Sequence, residues 1–169
     1  MPSFWNVIVF ALKATGPLVR VLRLVDGEKK PAMGYIYEAM DRAKEAISKA
    51  FNENAAKYNE VFEIIDKRWN CQLHHPLHAA GYFLNPEFFY YNESIEMDEE
   101  VIKGLYDCIE RLVPSPEIQD KIGDELVTYK RGDGLFSRPM AVRQRKTKSP
   151  GKFKSLVNNF FYKTFIKSH

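Results

Sequence analysis

Along most of this chain apolar residues recur every three or four positions, and nine prolines cut the pattern into short runs. A period of 3.6 puts such residues on one side of a helix, whereas a half-buried strand needs strict alternation. No stretch keeps a clean two-residue alternation, and no segment repeats at a fixed interval. The pattern predicts an all-α domain, an irregular bundle of six or seven helices followed by a basic C-terminal extension. Phe88-Phe89-Tyr90-Tyr91 is the one place where a strand could be read, and it is short and isolated.

The punctuation predicts the boundaries. Ser3 can cap a first helix that Gly16-Pro17 breaks, and Pro17 suits the first position of a second, with Leu18, Val21, Leu22 and Val25 on one face. Asp26-Gly27 ends it. A long helix over 32–51 carries the stripe Ile36, Met40, Ala43, Ile47 and Ala50, and Glu38 and Arg42 stand four apart as a surface pair. Tyr58, Val61, Phe62, Ile65 and Trp69 mark another. Pro76 opens a short helix with Leu77, Ala80, Gly81 and Leu84 on one side, which Asn85-Pro86 stops because a residue before proline is pushed out of the helical region. Asp98 caps the next, carrying Val101, Leu105, Cys108, Ile109 and Leu112. Ser115-Pro116 opens a last long helix with Ile118, Ile122, Leu126 and Tyr129 inward, and Gly132-Asp133-Gly134 closes it.

At 169 residues and 45% hydrophobic, the chain has a globular composition, which excludes full-length disorder and fits one domain plus a tail. Its charge is unevenly spread. Residues 138–169 hold nine basic side chains and no acidic one, so the net +3 leaves −6 for residues 1–137. We therefore expect a helical domain over 1–137 and a basic, poorly ordered tail over 138–169. Such a tail suits an anionic partner or nuclear import, which gives a nuclear location, with the cytoplasm as the alternative. Cys71 and Cys108 cannot make a disulfide framework and fit a reducing compartment. Asn92-Glu93-Ser94 matches the glycosylation sequon, which matters only in a secreted chain. The apolar start has no basic residue before it and no small-x-small site after it, so no signal peptide is expected. No run reaches the length of a membrane span.

Few residues read as chemistry. Cys71, His74, His75 and His78 have spacings that zinc accepts, but Pro76 interrupts the helix that would align them and no second ligand cluster exists, so no metal site is assigned. Neither a nucleophile elbow nor a glycine-rich phosphate loop is present. The many carboxylates fall on polar helix faces. No cofactor and no small-molecule substrate is expected. The clearest feature is the run Arg143-Gln144-Arg145-Lys146-Thr147-Lys148, followed by Phe153, Phe160, Phe161, Tyr162 and Phe165 among lysines. Cations neutralise phosphates and rings stack on bases, so Arg143, Arg145, Lys146 and Lys148 are the candidate nucleic-acid contacts. The same mixture suits a membrane surface. Exposed aromatics, Trp5 or Phe153 through Phe165, could instead mediate contact with protein, including self-association.

Three stretches resemble plant proteins derived from hAT-superfamily transposases: Gly16-Pro17-Leu18-Val19-Arg20-Val21-Leu22-Arg23-Leu24-Val25-Asp26-Gly27-Glu28-Lys29-Lys30-Pro31-Ala32-Met33-Gly34-Tyr35-Ile36-Tyr37-Glu38-Ala39-Met40; Arg68-Trp69 with Pro76-Leu77-His78-Ala79-Ala80-Gly81-Tyr82-Phe83-Leu84-Asn85-Pro86; and Gly104-Leu105-Tyr106 with Tyr129-Lys130 and Gly134-Leu135-Phe136. The resemblance covers residues 3 to 150, and 151–169 departs from it. It implies the helical insertion of a ribonuclease-H-like transposase, a region that helps hold DNA and assemble subunits. In the family two catalytic aspartates lie on strands before this region and a glutamate lies after it, so no catalytic residue carries over to this chain. The resemblance thus implies a catalytically silent relative or fragment with residual nucleic-acid binding at most. A helical interaction or dimerisation module without DNA binding is the alternative.

Overall fold

The computed structural model describes residues 2–27, 32–69 and 76–148. Cys71, His74, His75 and the segment 151–169 lie outside the described residues. Eight α-helices are seen: α1 (Pro2–Val25), α2 (Ile36–Ala50), α3 (Asn59–Arg68), α4 (Pro76–Phe83), α5 (Pro86–Phe89), α6 (Glu99–Leu112), α7 (Pro116–Arg131) and α8 (Pro139–Gln144). Short 3-10 turns join several of them, and there is no strand among the described residues. The all-α architecture is the one the periodicity predicts. None of the described helices is long and apolar enough to cross a membrane.

Local chemistry accounts for most boundaries. The Asp98 carboxylate accepts from the backbone N–H groups of Glu100 and Val101 and starts α6. Asn85 sits extended before Pro86, accepts from Glu87 N–H and so begins α5. Pro116 fills the first turn of α7, and Gly132, with φ 67°, ends it in the left-handed region.

Several expectations fail: the helix expected over 32–51 runs only from Ile36 to Ala50, and two further failures have a packing reason. The chain does not break at Gly16-Pro17: α1 runs through both residues. Ala14, Leu18 and Val21 flank the proline and pack onto Ile47, Ala43 and Met40 of α2. That burial offsets the roughly 3 kcal/mol a helix-interior proline costs. Ser3 accordingly lies inside a helix that opens at Pro2. The aromatic run Phe88–Tyr91 is not a strand either. Phe88 and Phe89 finish α5, and Phe89 packs on Phe83 and Tyr129, with ring centroids 4.8 Å away in each case.

One large and two small apolar clusters result. The large one joins α4, α6 and α7 with Phe136 and Ala141. Of the small ones, the first places Ala14 of α1 and Ile65 of α3 against Ile47 of α2, and the second Val21 of α1 against Ile36 and Ala43 of α2, with Leu18 and Met40 at the edge of both. Tyr37 and Trp69 meet edge to face at 5.1 Å between them. Helices α4 and α6 come so close that a Cβ on Gly104 would stand 2.5 Å from the Ala79 Cβ. The basic segment does not begin beyond the bundle. Its first part forms α8, whose Ala141 is buried in the larger core. The helical body therefore continues past residue 137.

Phenols tie the layers together. Tyr35 donates to Glu87, Tyr37 to Glu100 and Tyr82 to Glu38, at 2.7, 2.6 and 3.1 Å. The Tyr90 hydroxyl donates to the Tyr129 carbonyl, and the fully buried Tyr129 donates to the Phe83 carbonyl. Burial, reinforced by Glu87, pushes Tyr35 up to about 12, and burial pushes Tyr90 up to about 12. Tyr37, Tyr82 and Tyr129 are raised for the same first reason.

Two outcomes are expected. Gly104→Ala should cost about 1–3 kcal/mol through overpacking. Circular dichroism should then show a melting temperature roughly 3–10 °C lower. The phenols hold their protons more tightly in the folded chain than at the ordinary value of 10.0. Stability should therefore be intact below pH 10 and fall as pH rises from 10 toward 12. Phenolate absorbance followed beside far-ultraviolet circular dichroism should show ionisation and unfolding together.

Candidate functional site

The four basic residues singled out by sequence do not share one environment. Arg143 and Lys148 are exposed. Lys146 is exposed too, but its Nζ lies 4.1 Å from the Tyr91 ring centroid, at the rim of a hollow of about 340 Å³ that also contains Glu38, Glu87 and Asn92. Arg145 is different. Its guanidinium carbon sits 3.6 Å above the Tyr90 ring, and one Nη donates to the Phe136 carbonyl at 3.2 Å. Its Nε is buried without a hydrogen-bond partner. Arg145 is thus a strut that fastens the basic run to the bundle.

The strut brings together two segments that lie apart in sequence. A Cβ on Gly132 would stand 3.3 Å from the Arg145 guanidinium and 3.4 Å from the Tyr90 ring, so the left-handed glycine that ends α7 leaves room for both groups. Lys130 and Arg131 are exposed in the last turn of α7, where the Lys130 Nζ lies 6.0 Å from the Phe83 ring centroid. Residues 130–148 hold seven basic side chains and one acidic, Asp133. Sequence analysis missed Lys130 and Arg131, because basic residues in a last helical turn also serve simply to complement the helix dipole.

A second concave region lies among α2, α3 and α6, a cavity of about 360 Å³ lined by Tyr37, Asp41, Lys44, Asp66, Trp69 and Glu100 among others. Most of its polar groups have structural partners. Lys44 pairs with Asp66 at 2.7 Å, Tyr37 donates to Glu100, and Asp98 caps α6. Burial first, and then the Glu38 charge, push the Asp41 carboxyl up. Among the described residues no group of three or more His, Cys, Asp or Glu is placed to hold a metal ion. Cys108 is buried in the larger core, and burial raises its thiol.

Helix α1 is the third unusual surface. Of its residues only Ala14 and Val21 belong to the core, while Trp5, the aromatic singled out by sequence, is 63% exposed. Leu22 and Val25, expected on the covered face with Val21, are exposed as well.

Compared with protein-family models, with curated proteins and with solved structures, the chain has no significant match in any of the three.

The contrast between strut and free cations is measurable. Arg145→Ala should cost about 2 kcal/mol, since it removes a stacked cation and a charged hydrogen bond. Arg143→Ala and Lys148→Ala should stay within roughly 0.5 kcal/mol of the unsubstituted chain. Urea titration of the three variants separates the cases.

Proposed function

We propose that this chain is a catalytically silent relative of the hAT-superfamily transposases that holds nucleic acid by its phosphate backbone at the basic end of the bundle. The supporting observation is the Arg145 strut, which sets the 143–148 run beside the last turn of α7. Arg143, Lys146 and Lys148 are the phosphate contacts, with Arg131 in the last turn of α7 extending the patch. Arg145 acts as a positioning residue, since its guanidinium is already engaged by Tyr90 and Phe136. A fixed cluster of cations binds phosphates with little loss of order and reads no base sequence. The silent reading draws on the resemblance and on the carboxylates, which serve as caps and as partners of Lys and Tyr.

A mixed-sequence duplex carrying a fluorophore tests this by anisotropy. The logarithm of affinity should fall linearly with the logarithm of salt concentration, with a slope of about −0.9 for each phosphate neutralised. Arg143→Glu, Lys146→Glu and Lys148→Glu together should lower affinity at least tenfold while leaving helicity intact. Absent or salt-indifferent binding refutes the DNA reading, and strand nicking that needs a divalent metal refutes the silent one.

A second reading, a helical module for contact with protein, is favoured by a separate observation: the long apolar side of α1 has no cover within the described residues.

A further inference from the structure

Tyr90 and Tyr91 are neighbours in sequence, and each meets one of two neighbouring cations. Tyr90 lies under the Arg145 guanidinium and donates its hydroxyl to the Tyr129 carbonyl. Tyr91 is instead 55% exposed, joins no ring pair among the described residues, and has the Lys146 Nζ 4.1 Å from its centroid. Both Tyr91 and Lys146 border the hollow of about 340 Å³, together with Glu38, Arg42, Glu87 and Asn92. Pockets that take a small organic ligand run from roughly 300 to 1,000 Å³, so this one suits a single ring-sized group. Its two carboxylates and two cations cancel, which leaves no net charge to draw a phosphate inside. Its polar edge is already fixed. Arg42 and Tyr82 donate to Glu38, Tyr35 donates to Glu87, and the Ser94 N–H and hydroxyl donate to Asn92 Oδ1.

We propose that this hollow seats one unstacked base of a single strand whose phosphates lie on the 143–148 run. The proposal rests on the nucleic-acid reading and deepens it, since cations on phosphates read no sequence whereas a seated base is recognised. Single-stranded bases are held by stacking on aromatic side chains and by hydrogen bonds along their edges, and the hollow offers both. Lys146 marks the place. Its Nζ occupies the space over Tyr91 that a stacked base would take, and its flexible four-carbon stem lets it swing onto the phosphate of the same nucleotide. The exchange is favourable. An exposed cation–ring contact is worth only a few-fold in an equilibrium, whereas a base stacked on a ring is worth roughly five- to a hundred-fold. The carboxylates then select the base. An ionised carboxylate accepts hydrogen bonds and donates none. Cytosine presents an amino donor where thymine and uracil present a carbonyl acceptor, so the hollow prefers an amino-bearing base. A base paired and stacked within a duplex cannot enter, which leaves duplex DNA the phosphate contacts alone.

Fluorescence anisotropy at one fixed salt concentration tests this. The probes are a labelled oligodeoxycytidine of about 12 nucleotides, within the span of a single-strand site, the oligodeoxyuridine of equal length, and a mixed-sequence duplex. The unsubstituted chain should bind the cytidine strand about fivefold or more tighter than the uridine strand. Tyr91→Ala, at an exposed position, should keep its helical circular dichroism. Its loss of affinity should be about fivefold or more greater on the cytidine strand than on the duplex, the size expected for one stacked base. Tyr91→Phe, which keeps the ring, should restore binding. Glu87→Gln keeps an oxygen for Tyr35 and adds an amide donor that suits uracil, so it should bring the preference for cytidine below about twofold. Equal affinity of the unsubstituted chain for the two single strands overturns the base site, as does a Tyr91→Ala loss as large on the duplex as on the cytidine strand. In either case salt-dependent duplex binding still leaves the phosphate reading standing. A chain that binds neither single strand nor duplex removes both.

Discussion

The close approach of α4 to α6 governs the larger half of this bundle. Gly104 has no side chain where one would collide with Ala79, so the two helices pack almost backbone to backbone. That proximity lets Ala79, Ala80 and Phe83 share one apolar layer with Val101, Leu105 and Cys108. Tyr129 on α7 then closes the layer, with Phe136 edge to face on its ring at 5.4 Å and its hydroxyl on the Phe83 carbonyl. The turn carrying Phe136 in turn presents the carbonyl that receives Arg145. A contact between two small residues thus leads, through three layers of packing, to the placement of a surface cation.

Short-range chemistry was legible in the sequence wherever a single residue decides the outcome. Asp98 as a cap, Pro116 at a first turn, Asn85 before a proline and Gly132 past a helix end each act within a few residues. The inward stripes of α2, α6 and α7 follow largely from period alone, although Leu112 at the end of the α6 stripe is exposed, and the pair Glu38–Arg42 forms at 2.7 Å as its spacing suggests. What failed depended on partners distant in the chain. Pro17 looks like a break until Ile47 and Ala43 are brought beneath it. Phe88 to Tyr91 looks like a strand until Tyr129 claims Phe89. Arg143 and Arg145 are indistinguishable as letters, and only the Tyr90 ring, more than fifty positions earlier, separates an anchored guanidinium from a free one.

The acidic body and the basic end are not simply opposed surfaces. Many carboxylates of the body are committed to phenols or to lysines: Glu87 to Tyr35, Glu100 to Tyr37, Asp66 to Lys44 and Asp107 to Lys103. Such pairs on exposed helices add only tenths of a kcal/mol each. Three of these four also hold their carboxylate at a junction between elements, since Tyr35, Tyr37 and Lys44 lie on other segments than their partners. At the basic end aromatic faces take part too: Arg145 stacks on Tyr90, and Lys146 lies over Tyr91 at the rim of a hollow that also holds Glu38 and Glu87. A cation held on a ring keeps its full charge for an external anion, whereas one held by a carboxylate is already neutralised.

The division of the interior into one large apolar cluster and two small ones, with Tyr37 and Trp69 meeting at their boundary, bears on how the molecule loosens. The two clusters of α1, α2 and α3 are the small ones, and one whole side of α1 contributes nothing to them. Backbone amides there are shielded by fewer apolar neighbours than those of α4, α6 and α7. Opening should therefore occur in two cooperative steps of unequal cost. In deuterated water the amides of α1 would exchange first and as a block, while those around Gly104 and Tyr129 wait for the whole chain to unfold.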